Sequence, residues 1–539
     1  MRLPRLVLPA LLLFACHVRG DDLLPADWPI EQVVDHYVDA RLRQVKVEPA
    51  PQVDDYTLIR RLTLDLVGRI PTLPESTAFV AATDSQKRVK LVDRLMASPA
   101  FVRHQATQFD AMMASANGRN SGGLRDYLVK SLGANKSWDR VFRELLLPDD
   151  ADPAQKGASD FLKSRVADLD RVTNDVSVIF FGVSVSCAQC HDHPLVADWK
   201  QDHFFGMKSF FARTFDNGGF LAEREFGQVK FKPSKGPERQ AKMMFLSGAA
   251  IDAPGQKEPN KDDEKKDREK FEKFKKDKKA PPPPVFSARA KLVEVALQTK
   301  ESDYFSRSIV NRLWHRFIGF GLVMPLEQMH SENPPSHPAL LNWLARDTAA
   351  HGYDLRRTIR GLVLSQAYSR SSRWKGDAPP APALFAVGRL KALTPMQLAT
   401  SLKIATSDPQ AFEAVKPDDL DKRIEGIEGS VRGFAGQIAQ PTDDFQIGVS
   451  EALLFSNNDR LLRDFIGDGG DRLTNRLKNV TDPAKAADVL VRAILSRPPT
   501  ADELAAMTDY ISRRKDRLQE AYKQVIWALV SGAEFRFNY

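Results

Sequence analysis

Of the 23 residues from Lys257 to Lys279, 19 are charged, and a run of prolines starts at Pro281. Such a segment cannot bury enough apolar surface to offset the entropy lost on ordering. It must lie in solvent, as a linker or a surface insertion, with a transient helix and a polyproline end as its local conformations. It separates about 200 residues on its N-terminal side from about 250 on its C-terminal side. A chain of 539 residues exceeds what one hydrophobic core normally supports, so two packed regions are expected.

Both regions read as helices with clear punctuation. Asp54 or Asp55 is placed to cap a helix whose Ile59, Leu62 and Leu66 share one face, and Gly68 with Pro71 ends it. Thr500 and Glu503 form a capping box before Leu504, Met507 and Ile511, and Asp482–Pro483 starts another helix. Alternating patterns are confined to Gln228–Phe231 and Met243–Leu246, so the expected class is mainly α, with few short strands.

The first twenty residues, MRLPRLVLPALLLFACHVRG, have two arginines, an apolar run from Leu6 to Ala15 and a small-residue exit at Gly20. This is signal-peptide architecture with cleavage expected after Gly20; lipidation at Cys16 is the second reading. The chain is therefore expected to be exported, to the periplasm or the cell surface. No later run is apolar enough to span a membrane; Val176–Val185 reads as a buried helix. The net charge of +8 would suit a nucleic-acid partner only if it gathered in a stripe. Arg2, Arg5 and Arg19 lie in the signal segment, and the charged segment holds 11 basic against 8 acidic residues. The remainder is close to neutral, so no nucleic-acid partner is expected.

One motif carries chemistry. Cys187, Cys190 and His191 have the C-x-x-C-H spacing of covalent haem attachment, and with Cys16 removed no other cysteine remains. Thiols three residues apart share one side of a helical turn and can add to the two haem vinyl groups, while the next imidazole coordinates iron. The expected cofactor is haem c, with electron transfer as the activity and a redox or envelope protein as partner. Three other readings stay open. The cysteines form a local disulfide; or Cys187, Cys190, His191 and His193 hold a metal; or the thiols are packed and inert. A non-haem envelope protein for binding or assembly follows from the first two. A metal-dependent hydrolase using His191, Asp192 and His193 requires further carboxylates around them. An enzyme is not the expected outcome, since no G-x-S-x-G, H-E-x-x-H, Walker or dinucleotide fingerprint occurs.

A second axial ligand is harder to name. His203 and Met207 follow His191 closely, and Met112, Met113, Met243 and Met244 are further candidates, each with core packing as its ordinary role. His104, His315, His337 and His351 read as buried or capping histidines, with His337 beside Pro338 at a helix start. Trp199, beside Asp198 and Asp202, reads as core.

The stretches DDYTLIRRLTLDLVGRIPTLPE, CAQCHDHP, RSIVNRLWHRFIGFGLV and ENPPSHPALLNWLA, among others along nearly all of the mature chain, are similar to exported planctomycete proteins. Those proteins join a cytochrome-like PSCyt domain to a C-terminal PSD domain, both of unknown function. The resemblance implies a haem-like signature at Cys187, Cys190 and His191, completed by His193 and Pro194. The separate N-terminal cytochrome domain of many relatives is missing, and His203 stands where they tend to carry an aromatic residue. The resulting layout is a signal peptide over 1–20 and a PSCyt-like helical domain over 28–215. An irregular segment with the charged linker over 216–285 and a PSD-like helical domain over 286–539 follow.

Overall fold

The computed structural model describes residues 23–114, 122–193, 196–234, 236–253, 259–298, 303–413, 415–441, 455 and 461–539. The signal segment, with Cys16 and Gly20, lies outside the described residues, as does Pro194. Helices dominate, and the strands form two-stranded antiparallel ribbons. No helix among the described residues is long and apolar enough to cross a membrane.

The punctuation read from the sequence is realised. Asp54 accepts from Thr57 N–H at 2.8 Å and starts the helix Asp55–Val67, which Gly68 closes in the left-handed region. Thr500 and Glu503 cap Ala501–Ser512 reciprocally, and Asp482 caps Pro483–Leu495. Lys230–Phe231 and Met243–Met244 are strands, shorter than the patterns suggested, paired with Arg239–Gln240 and Ala250–Ile251. Val176 and its neighbours belong to the buried helix Leu169–Phe181.

Within 216–285 the chain is more ordered than its composition suggests. Lys261–Lys276 is a helix in the surface insertion, with Asp262, Asp263 and Glu264 in its first turn and Lys273, Lys275 and Lys276 in its last, the arrangement the helix dipole favours. Asn260 caps it. Its one buried side chain, Phe271, meets Phe215 edge-on at 5.0 Å, and Asn217 Nδ2 donates to the Phe271 carbonyl at 3.0 Å. This aromatic contact, the Asn217 bond and an ion pair from Asp267 to Arg224 at 3.1 Å hold a mostly solvated helix on the Thr214–Glu223 hairpin.

The apolar cores do not follow the charged segment. One cluster runs from Ile30 through Trp138, Phe180, Trp314 and Trp343 to Ala386; the other gathers Leu393 to Phe535 together with Leu64 and Ile70. The helix Asp55–Val67 lies between them and is buried from Leu58 to Val67, including Arg60, Arg61 and Asp65. Such all-round burial is what a central helix requires. The strand Lys391–Ala392 pairs with Phe537–Asn538 beside it.

Candidate functional site

The helix Leu169–Phe181 stops at Gly182, whose φ of +67° suits only glycine without strain. Val185 and Ala188, both buried, then pin a 3₁₀ turn over Ser186–Gln189 to the core. Residues three apart eclipse one another in a 3₁₀ turn, and Cys190 continues it in right-handed helical geometry. Cys187 and Cys190 are exposed free thiols on that turn, and His191 and Asp192 beyond it are exposed as well.

The neighbouring hydrogen bonds orient this surface. His191 Nδ1 lies 2.8 Å from the Asp192 carbonyl, which holds the tautomer with Nδ1–H and leaves Nε2 with its lone pair. Asp192 Oδ1 accepts from Gln201 N–H at 2.9 Å, at the start of the helix Gln201–Ser209. Gln201 Nε2 donates back to the Gln189 carbonyl at 3.3 Å, and Gln189 Nε2 donates to Asp170 at 2.9 Å. His193 turns away from the thiols in its bonding: its Nδ1 accepts from Val196 N–H at 3.1 Å and its N–H donates to the Trp199 carbonyl at 2.8 Å. Among the described residues no three His, Cys, Asp or Glu side chains gather to hold a metal ion.

The other candidates are placed as follows. Met113, Met207 and Met243 are enclosed in the core, and Met112 and Met244 are half-buried. His203 Nδ1 accepts from Lys200 N–H at 3.2 Å, beside the buried Trp199. His337 begins Pro338–Ala350 but makes no side-chain cap; its ring packs on Phe385 at 5.2 Å. His351 Nδ1 lies 2.9 Å from the Asp347 carbonyl one turn earlier.

Sequence reasoning missed what supports the motif from the far side of the chain. Val183 pairs with Gln328, Ser184 N–H donates to the Glu327 carbonyl at 2.7 Å, and Met329 N–H donates to the Gly182 carbonyl at 3.0 Å. Asp198 accepts from both N–H and Oγ of Ser331, at 2.8 and 2.9 Å. No periodicity links residues 133 apart, so only the quoted stretch ENPPSHP, just beyond Ser331, marked this neighbourhood at all.

Two families match this chain. PSCyt2, "Protein of unknown function (DUF1549)", matches residues 33–216, and PSD1, "Protein of unknown function (DUF1553)", matches residues 288–420. The chain combines a PSCyt2 domain with a PSD1 domain. No curated protein and no solved structure matches it. The C-x-x-C-H turn thus belongs to PSCyt2, and the segment that braces it, Glu327–Ser331, belongs to PSD1. The two matched stretches meet on either side of the motif, at Gly182–Ser184 and at Asp198.

That bracing has a measurable consequence. A Cβ on Gly182 would lie 3.0 Å from Met329 Sδ and 3.3 Å from the Leu326 carbonyl, in a conformation L residues rarely adopt. Gly182→Ala is expected to cost about 1–3 kcal/mol and to speed amide exchange at Ser184 and Met329. Unchanged exchange at both amides would show that the brace does not depend on this turn.

Proposed function

We propose that this chain is an exported c-type haem protein that transfers electrons, with the haem carried by Cys187, Cys190 and His191. The observation behind this reading is the exposed 3₁₀ turn that sets two free thiols on one face, next to an imidazole with Nε2 available. Each thiol would add across one vinyl double bond, its sulfur to one carbon and its proton to the other. Bound there, the haem would supply reversible one-electron chemistry. Asp192 orients the site through both ends of its residue: its carbonyl faces His191 Nδ1 and its carboxylate fixes the next helix. The signal-like N-terminus supports export, where such attachment takes place. A redox or envelope protein partner would approach the exposed face.

The test is the absorption spectrum and denaturing-gel haem stain of the chain expressed with working cytochrome c maturation. Retained stain and a c-type reduced spectrum are expected, both lost in Cys187→Ala/Cys190→Ala, with His191→Ala keeping the stain but changing the spectrum. A colourless protein with Cys187 joined to Cys190 would replace this reading with an envelope binding or assembly role.

A further inference from the structure

A cavity of about 370 Å³ lies where PSCyt2 and PSD1 meet beside the C-x-x-C-H segment. Asp198 lines it from the PSCyt2 side; Tyr304 and Arg307 line it from the helix Asp303–Ile318; Met329 and His330 line it from the bracing segment, and Val323 from just before it. Its size falls within the range of small-molecule sites.

Arg307 is the unexplained group. It is half-buried, its Nε is buried without a hydrogen-bond partner, and among the described residues its guanidinium makes no hydrogen bond or close ion pair; Asp303, one turn earlier on the helix, opposes its charge only from a distance. Other buried arginines here have acceptors: Arg165 meets Asp175 at 2.9 Å and Arg289 meets Glu223 at 3.3 Å. A guanidinium stays charged in proteins, and here its Nε is withdrawn from water without an acceptor, a cost that a ligand bonding to the group would relieve. His330 adds a second vacant group, since its Nδ1 is buried without a partner. Burial pushes that imidazole below its ordinary value, so it stands neutral at pH 7.

We propose that this cavity binds a small monocarboxylate, its two oxygens taken by the Arg307 fork and its apolar body laid against Val323 and Met329. The fork geometry matches a carboxylate. Asp198 and Asp303 also line the cavity; their negative charge opposes any anion and opposes a dianion such as phosphate about twice as strongly as a monocarboxylate, so the monoanion is the one a single fork can hold. His330 Nδ1 is then available to a hydroxyl or carbonyl on the same ligand. This site stands independently of haem attachment.

The test is calorimetric titration of the full chain with benzoate, its neutral isostere benzamide, and inorganic phosphate. Saturable benzoate binding is expected, with benzamide and phosphate each weaker by about tenfold or more. Arg307→Met should weaken benzoate by a similar factor, and Arg307→Lys, which keeps the charge but loses the fork, by less. Equal affinity for benzoate and benzamide, tighter phosphate, retention of benzoate by folded Arg307→Met, or no saturation at about 10 mM benzoate would each overturn the proposal. The benzoate–benzamide comparison needs only the wild-type residue, so a variant that fails to fold does not remove the test. Running it also in Cys187→Ala/Cys190→Ala separates its failure from that of the haem reading.

Discussion

Asp65→Asn is expected to destabilise this protein by about 3–5 kcal/mol, because it leaves an ammonium buried without its counter-ion. The Asp65 carboxylate accepts from Lys391 Nζ at 2.6 and 2.7 Å, from the Tyr368 hydroxyl at 2.8 Å and from Asn538 Nδ2 at 2.8 Å. Burial already lowers the Lys391 ammonium from its ordinary value, and Asp65 is the largest opposing influence. An asparagine offers one acceptor oxygen and turns an NH₂ group towards existing donors. The damage should reach both apolar cores, since the helix bearing Asp65 lies between them. Denaturant unfolding would measure the loss, and pairing the change with Lys391→Met should recover part of it. A loss below about 1 kcal/mol would mean that water reaches the cluster and screens it as at a surface.

Acidification from pH 7 to pH 4 is expected to remove stability on the order of 3 kcal/mol through each of His104 and His337. Burial, with the Arg316 charge, pushes the His104 imidazole down to about 3, and burial pushes His337 down to about 4. His104 is packed over Gly68, where a Cβ would come within 2.4 Å of Nδ1. In the unfolded chain both rings take up a proton near pH 6.5. Between that value and the folded ones the unfolded state therefore binds more protons, and stability falls as pH falls. A further loss begins near pH 4.5. Burial alone would raise the Glu75 carboxyl, but Arg69 at 2.7 Å holds it at about 2, so its contribution disappears between these values. Urea midpoints at pH 7, 5.5 and 4 would trace the first loss, and His104→Gln with His337→Gln should flatten it. A wild-type midpoint unchanged at pH 4 would show that both rings gain solvent when charged.

What was legible in the sequence follows from how far the governing interactions reach. Helix ends such as Asp54, Thr500 and Asp482 were readable because a cap bonds within three residues of itself. The mainly α class was readable from the 3.6-residue period. The position of the C-x-x-C-H motif and the placing of both thiols on one turn were also local matters. The helix within the charged segment was only half legible: its charges match the dipole, but its docking depends on Phe271 meeting Phe215. Nothing local joins Asp65 to Lys391 and Asn538, Asp198 to Ser331, or Gly182 to Met329. Nor does any local pattern leave Arg307 facing a cavity without an acceptor. By itself the sequence determined the elements and the one reactive motif, because propensity, capping and spacing act along the chain. Only the tertiary structure decided which PSD1 residues brace that motif, because burial and long-range hydrogen bonds are satisfied by whichever distant residues packing brings together.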